Sequence, residues 1–464
     1  MRPSIDLKGK RVLVVGLART GMATALFCAA RGARVTATDE RGDAELGDIS
    51  GRLRNAGCTL ELGGHIRETF LQQELIVPSP GVAADHPGLA AARTAGIPVW
   101  SEIELAWRFL HGRLVAITGS NGKTTTTSLV AHILSQSGMP VILAGNIGVP
   151  LIACVEKSSD RSVAVVEVSS FQLELIDSLR PDVAVLLNLT PDHLDRHDSF
   201  EAYCRAKVRL FENQVEGDAT VLNADDPVAA QYAPTRPQLY WFSRTRQVAS
   251  GAYLRDDQIF FCRNGQHTHL LDRRDIGLRG EHNLENVLAA ASTAFLAGAE
   301  PAAIAAGVRS FPGVEHRLEF VAEIGGVSFF NDSKATNVDA TRKALEAFSG
   351  GLLVILGGKD KGSDFAPLVE PLRQRAREVF VIGAAAEKIA AQLGAAVPIE
   401  RAGTLERAVG LAFIRARPGD IVLLAPACAS FDQFQNYEHR GRVFKELVHH
   451  LEAAHSTVSP GRKG

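Results

Sequence analysis

The chain has 464 residues, 46% of them hydrophobic and 22% charged, an ordinary globular composition that excludes a disordered or disulfide-stapled protein. At roughly 150 residues per domain this length predicts about three domains. Lys and Arg number 50 against 52 Asp and Glu, a net charge of −2, so no global positive field exists to draw in nucleic acid.

The six cysteines, Cys28, Cys58, Cys154, Cys204, Cys262 and Cys428, are scattered without a C-x-x-C pair and read as reduced thiols of a cytoplasmic protein. The longest apolar runs, such as 163–166 and 183–187, fall far short of the roughly 20 residues of a membrane helix, so no membrane partner is expected. The apolar run 12–15 leads into Gly16, Arg19 and Thr20 rather than a cleavage site, and reads as a strand rather than a signal peptide.

Short β-branched runs alternate with helical patterns along the chain, which predicts an α/β protein with parallel sheets covered by helices. The series restarts twice, giving expected domains at 1–110, 111–313 and 314–464. The first opens with a strand at 11–15, the turn Gly16-Leu17-Ala18-Arg19-Thr20-Gly21, a helix to about 31 and a strand at 34–38 that closes on Asp39. Ala18 stands where a dinucleotide fingerprint carries its second glycine, and its methyl narrows the approach of backbone to a phosphate. A further strand at 75–77 ends in the turn Pro78-Ser79-Pro80-Gly81.

The second domain opens with a strand at 114–118 that runs into Thr118-Gly119-Ser120-Asn121-Gly122-Lys123-Thr124-Thr125 and a helix from about 125 to 137. A glycine turn between strand and helix aims backbone N–H groups and a helix N-terminus at phosphate. Lys123 would neutralise β/γ-phosphate charge, and Thr124 sits where a Mg²⁺-ligating hydroxyl belongs. The usual spacing places a glycine at position 117, which is Ile117 here, so the loop is a shortened version. A buried strand at 163–168 delivers Glu167 within reach of a metal on that loop. A strand at 183–188 leads into Leu189-Thr190-Pro191-Asp192-His193-Leu194-Asp195-Arg196-His197, a crowd of polar groups at the carboxyl edge of a sheet. Taken alone, His193 reads as a helix-cap or surface histidine, and Lys207, on a helix expected at 200–213, as a surface charge.

In the third domain Asn331-Asp332-Ser333-Lys334-Ala335-Thr336-Asn337 follows the apolar run 327–330, and Gly357-Gly358-Lys359-Asp360-Lys361-Gly362 follows a strand at 352–356. Strands are also expected at 378–382 and 421–424. The second leads into Ala425-Pro426-Ala427-Cys428-Ala429-Ser430-Phe431-Asp432, read as a small-residue helix start suited to a carboxylate. The tail 456–464 is expected to fray.

Together these motifs resemble the Mur ligase family, in order and over nearly the whole chain, 11–451. The signatures are the phosphate loop, Glu167-Val168-Ser169-Ser170, Asp192-His193, Glu281-His282-Asn283 with Asn286, His316-Arg317 and the run 331–337. Ser79-Pro80-Gly81-Val82, the run 332–337 and Pro426 to Phe434 with Tyr437 are similar to the branch of the family that adds D-glutamate. The Asp-Asn-Pro-Arg phrase of the diaminopimelate-adding branch does not occur. The resemblance implies a Rossmann-like first domain, a P-loop ATPase-like second and a Rossmann-like third. It implies a reaction in which ATP phosphorylates the alanyl carboxylate of UDP-N-acetylmuramoyl-L-alanine and the amine of D-glutamate displaces phosphate, in peptidoglycan precursor synthesis.

Carried over by position, the resemblance assigns ATP to Gly119, Ser120, Asn121, Gly122, Lys123, Thr124, Thr125, Asn283, Asn286, Arg317 and Asp332. It gives two Mg²⁺ ions to Thr124, Glu167, His193 and Lys207, the lysine as a carbamate formed with CO₂. That addition requires the neutral amine of a lysine with a depressed pKa. The UDP-sugar falls to Gly16, Leu17, Arg19, Thr20, Asp39, Ser79, Gly81, Asn146 and Ser169, and D-glutamate to Thr336, Lys361, Ser430, Phe431 and Tyr437. Lys123, His193, Lys207 and Lys334 carry the catalytic roles, and the enzyme is expected to act as a monomer on small molecules. Other readings stay open here: a relative adding another amino acid or acting on a folate, a P-loop switch that hydrolyses nucleotide without an acceptor, and an NAD-dependent oxidoreductase built on the first domain.

Overall fold

The computed structural model describes residues 2–193 and 196–458. Leu194 and Asp195, part of the polar crowd after the third strand of the second domain, lie outside the described residues, as do 459–464 of the tail. The chain divides into two compact units, Met1–Asp275 with Glu285–Phe311, and Ile276–Leu284 with Pro312–Gly464.

The first unit holds two sheets. One contains β1 (Arg11–Val15), β2 (Arg34–Asp39), β3 (Thr59–Leu62) and β4 (Leu75–Pro78), all parallel in the order β3-β2-β1-β4. Val12 to Val15 are wholly buried, as expected of a central parallel strand covered on both faces. In register, Val15 of β1 faces Thr38 on one side and Pro78 on the other, which brings the turns at Gly16, Asp39 and Ser79 to one edge.

The other sheet contains β5 (Arg113–Thr118), β6 (Val141–Gly145), β7 (Val163–Glu167), β8 (Val183–Leu186), β9 (Ala219–Asn223), β10 (Gln238–Ser243), β11 (Gly251–Arg255), β12 (Gln258–Arg263) and β13 (Gln266–Asp272). Their order is β13-β12-β11-β10-β9-β8-β5-β7-β6, parallel up to β11 and antiparallel through β12 and β13. Because β5 lies between β7 and β8, Ile117 pairs with Glu167 and Thr118 with Leu186. The glycine loop therefore emerges between the two strand ends that carry the other candidate groups.

The second unit holds β14 (Glu319–Ile324), β15 (Val327–Asn331), β16 (Leu352–Gly357), β17 (Ala376–Ile382), β18 (Ile399–Gly403) and β19 (Ile421–Leu424), in the order β14-β15-β19-β16-β17-β18. Only the β14 edge is antiparallel among the described pairings. Apolar layers lie on both faces, one including Val354, Leu356 and Leu423, the other Phe329, Ile355 and Leu424.

Several local expectations change. The helix after the phosphate loop begins at Lys123 rather than 125, and the helix Phe200–Val208 gives way to a 3-10 turn at Arg209–Phe211 instead of running to 213. No helix starts within 425–432. Pro426 lacks an N–H, Ala427 adopts a φ of +59°, and Ala429 pairs with Lys359 in both directions at 2.8 and 3.1 Å, so the segment is committed to loop geometry. The final helix, Tyr437–Val458, extends into the segment expected to fray. No helix of the described residues is long and apolar enough to cross a membrane, and all six cysteines are buried and free.

Candidate active site

The phosphate loop is shaped by two glycines in conformations that side chains disfavour, Gly119 at φ +150° and Gly122 at φ +83°. Gly122 starts the helix Lys123–Gln136 and brings no capping side chain, which leaves the first-turn N–H groups aimed out of the helix. A Cβ at Gly122 would lie 2.1 Å from Asn286 Oδ1, and one at Gly119 would lie 3.0 Å from Leu187 Cβ. The loop is stitched to the segment after β8. The Asn121 N–H donates to Asn188 Oδ1 at 2.8 Å, Asn188 Nδ2 donates to the Asn121 carbonyl at 3.1 Å, and the Ser120 hydroxyl donates to the Thr190 carbonyl at 2.9 Å. Asn188 carries no motif, but a polar residue closing the apolar run of β8 is the signal that marks it.

Lys123 Nζ donates to the Gly119 and Ser120 carbonyls at 2.8 and 2.7 Å. Thr124, a buried residue, donates its hydroxyl to Glu167 Oε2 at 2.8 Å, and Asn146 donates its amide to Glu167 Oε1 at 2.7 Å. A hydroxyl and a carboxylate brought together beside a phosphate loop are hard oxygen donors of the kind Mg²⁺ takes. Asn146 thus connects the turn assigned to the sugar with the carboxylate assigned to the metal. Thr125 is buried behind the loop.

Lys207 corrects the reading it had in isolation: it is 2% exposed, far from a surface charge. Ser199 caps its helix by accepting the Ala202 N–H, and the helix carries Tyr203 and Lys207 one turn apart on one buried side. Lys207 Nζ donates to the Gly119 carbonyl at 2.9 Å and lies 4.6 Å from the Tyr203 ring centre, while the Tyr203 hydroxyl meets Ser120 Oγ at 3.0 Å. Burial, and then the Lys123 ammonium, hold the Lys207 amine well below the usual lysine range. The one carbonyl of Gly119 therefore receives both lysines. His193 has a φ of +54°, donates its N–H to Asp192 Oδ1 at 2.9 Å and packs its ring edge-on to Phe171 at 5.0 Å.

At the edge of the first sheet, Ser79 donates to the Gly16 carbonyl at 2.6 Å and the Leu17 N–H donates to Asp39 Oδ2 at 2.6 Å. Burial alone would raise the Asp39 carboxyl, but hydrogen bonds from Arg41 and the Leu17 N–H hold it at about 2. Arg196 donates to the Gly81 and Val82 carbonyls at 3.3 and 2.7 Å, joining this turn to the segment after β8. Arg19 is exposed and Thr20 half-buried at the start of their helix. A Cβ at Gly21 would lie 1.8 Å from the Gly16 carbonyl oxygen, so the last glycine of the turn is required by packing. Ser169 caps the short helix Ser170–Leu173 and shares hydrogen bonds with Gln172.

In the second unit, Lys334 Nζ donates to the Tyr437 hydroxyl at 3.1 Å, and Ser333 donates to the Tyr437 carbonyl at 2.8 Å. The buried Arg440 donates to Ser333 and to the Cys428 carbonyl, fixing the loop that carries buried Ser430 and the 66%-exposed Phe431. Thr336 is half-buried near Lys334, and Lys361 is exposed on the turn after β16. Burial pushes the Asp332 carboxyl up to about 6, although Arg317 and the Leu318 N–H oppose this. Arg317 and Asn283 line a cavity of about 430 Å³ with Leu318, Phe320 and Phe330, and Arg317 Nε is buried without a hydrogen-bond partner among the described residues.

Residues 10–101 match the Mur ligase MurD-like N-terminal domain, 117–294 the Mur ligase middle domain, and 316–428 the Mur ligase glutamate ligase domain. A protein of Acidobacterium capsulatum named UDP-N-acetylmuramoylalanine–D-glutamate ligase is 54% identical over 96% of this chain and 97% of its own length. One of the same name from Solibacter usitatus is also 54% identical, over 97% of this chain and 99% of its own. The fold is similar to that of the MurF ligase from Thermotoga maritima solved in complex with ADP, with a TM-score of 0.61 at 18% identity over 99% of this chain and 98% of that one. With three consecutive domain matches, and relatives this similar across almost their full length, the chain belongs to the Mur ligase family.

Proposed function

We propose that the chain is an ATP-dependent ligase that adds D-glutamate to UDP-N-acetylmuramoyl-L-alanine. The observation that carries this is its near-full-length likeness to ligases of that name, joined to a phosphate loop with Thr124, Glu167 and Lys207 around it. Forming an amide from a carboxylate and an ammonium is uphill in water, so one carboxylate oxygen must first become part of a leaving group. The alanyl carboxylate takes the γ-phosphoryl group of ATP and releases ADP. The glutamate amine then attacks the acyl carbon, phosphate departs with the oxygen it gained, and the amine loses a proton.

Holding carboxylate, γ-phosphate and amine in line contributes on the order of 7–11 kcal/mol. Gly119 to Thr125 bind the phosphates, with Lys123 turning from the loop carbonyls to phosphate oxygens. Thr124 and Glu167 would hold one Mg²⁺, and His193 with carbamylated Lys207 a second; these ions supply charge neutralisation at the crowded oxyanions. The depressed amine of Lys207 supports the carbamate, because CO₂ adds to a neutral amine, and the product replaces a repulsion of Lys123 by an attraction. Asn283, Asn286, Arg317 and Asp332 contribute to nucleotide binding. The first-sheet turns with Asn146 and Ser169 take the UDP-sugar, and Thr336, Lys361, Ser430, Phe431 and Tyr437 take D-glutamate, with Lys334 stabilising charge at the reacting carboxylate. The enzyme works as a cytoplasmic monomer.

Phosphate release from MgATP, measured with each substrate omitted in turn and with L-glutamate in place of D, tests this reading. Release that requires both the UDP-sugar and D-glutamate, with a product heavier by one glutamyl residue, is expected. Turnover without the sugar would make the loop that of a nucleotide switch.

A further inference from the structure

The helix Glu102–Phe109, which precedes β5, carries two buried carboxylates. Glu104 is fully engaged, accepting from the N–H groups of Asp177, Ser178 and Leu179 and from Arg108. Glu102 is different. It is 1% exposed, its Oε1 accepts the Ile152 N–H at 2.6 Å, and its Oε2 has no partner of ordinary hydrogen-bond geometry among the described residues. The Gln172 side-chain amide and the Leu151 N–H flank the same carboxyl, which burial pushes up to about 7. An apolar side chain would fill this space without the desolvation cost of a carboxyl group.

Both neighbours of Glu102 lead toward residues assigned to the UDP-sugar. Ile152 lies in the 3-10 helix Leu151–Lys157, which follows directly on the turn bearing Asn146. Gln172 accepts the N–H and the hydroxyl of Ser169 on its Oε1, both at 3.0 Å. With that oxygen committed, its NH₂ is the end that faces Glu102.

We infer that Glu102 is a positioning residue for the UDP-sugar: its carboxyl, held by the Ile152 N–H and facing the Gln172 amide, stands between the Ser169–Gln172 pair and the start of the 3-10 helix behind Asn146, and so sets the spacing between the two contacts. This rests on the assignment of Ser169 and Asn146 to the UDP-sugar. Glu102→Gln keeps the shape and the acceptor for Ile152 but turns an NH₂ toward the NH₂ of Gln172. Exchanging the two residues, Glu102→Gln with Gln172→Glu, restores one donor facing one acceptor.

Steady-state kinetics on the full-length enzyme, with thermal melting alongside, test the inference. Glu102→Gln is expected to raise KM for the UDP-sugar about tenfold while kcat and KM for ATP and glutamate stay within about twofold, and the exchange is expected to return KM to within about threefold of the parent. Gln172→Glu alone, which keeps the acceptor for Ser169 but removes the NH₂ that faces Glu102, provides the same readout should Glu102→Gln fail to fold. An unchanged UDP-sugar KM, a fall of all constants together with the melting temperature, or an exchange that recovers nothing would overturn it. Ser169→Ala and Asn146→Ala separate the two levels. If both leave the UDP-sugar KM unchanged, the assignment of the sugar site fails; if they raise it while Glu102→Gln does not, only the role of Glu102 fails.

Discussion

Lys207 shows how much a single residue's meaning depends on what surrounds it. On an amphipathic helix the simplest reading of a lysine is a solvated charge, and nothing in the local pattern says otherwise. The structure buries it beside Lys123, on the same Gly119 carbonyl, where an ammonium is disfavoured both by desolvation and by its neighbour. Only the family resemblance gave it a role from sequence. Glu102 was invisible to both, since a glutamate in an ordinary helix start carries no signal until its partners 50 and 70 residues away are in place. Replacing Lys207 by Ala is expected to lower kcat by at least 100-fold, and short-chain carboxylates or bicarbonate are expected to restore part of it. Undiminished turnover by the Ala variant, followed by phosphate release, would remove the lysine from the mechanism.

Among elements, strands were the most legible, because each central parallel strand is a short apolar run ended by a glycine or polar residue. The glycine loop was legible for the same reason. Its closure was not: the two-way pairing of Asn121 with Asn188, and the contact of Gly122 with Asn286, join positions 67 and 164 residues apart. The stretch after β19 misled because small residues suit a helix start as well as a tight loop, and pairing with Lys359 decided for the loop. The packing at Gly122 predicts that Gly122→Ala, strained at φ +83° and pressed into Asn286, lowers kcat/KM for ATP on the order of 100-fold, by displacing the loop rather than unfolding the helix. An ATP titration showing wild-type kcat/KM in that variant would mean that the loop does not need this conformation.

At the scale of the whole chain, three sheets of largely parallel strands and the order of motifs along them agree with the α/β reading. The antiparallel extension β11 to β13 was not separated in the sequence, because strands such as Gln258–Arg263 and Gln266–Asp272 mix polar with apolar residues where the central parallel strands are near-continuous apolar runs. Strand order likewise depends on long-range pairing that local pattern does not encode: β5 sits between β7 and β8, and that placement alone brings Glu167 and Asn188 to the phosphate loop. The chemistry of the whole enzyme comes down to the fate of one oxygen atom. UDP-N-acetylmuramoyl-L-alanine labelled with oxygen-18 in its alanyl carboxylate, turned over with MgATP and D-glutamate, should yield inorganic phosphate carrying one labelled oxygen and an amide retaining the other. Phosphate released without the label, while the amide forms, would contradict activation of the carboxylate as an acyl phosphate.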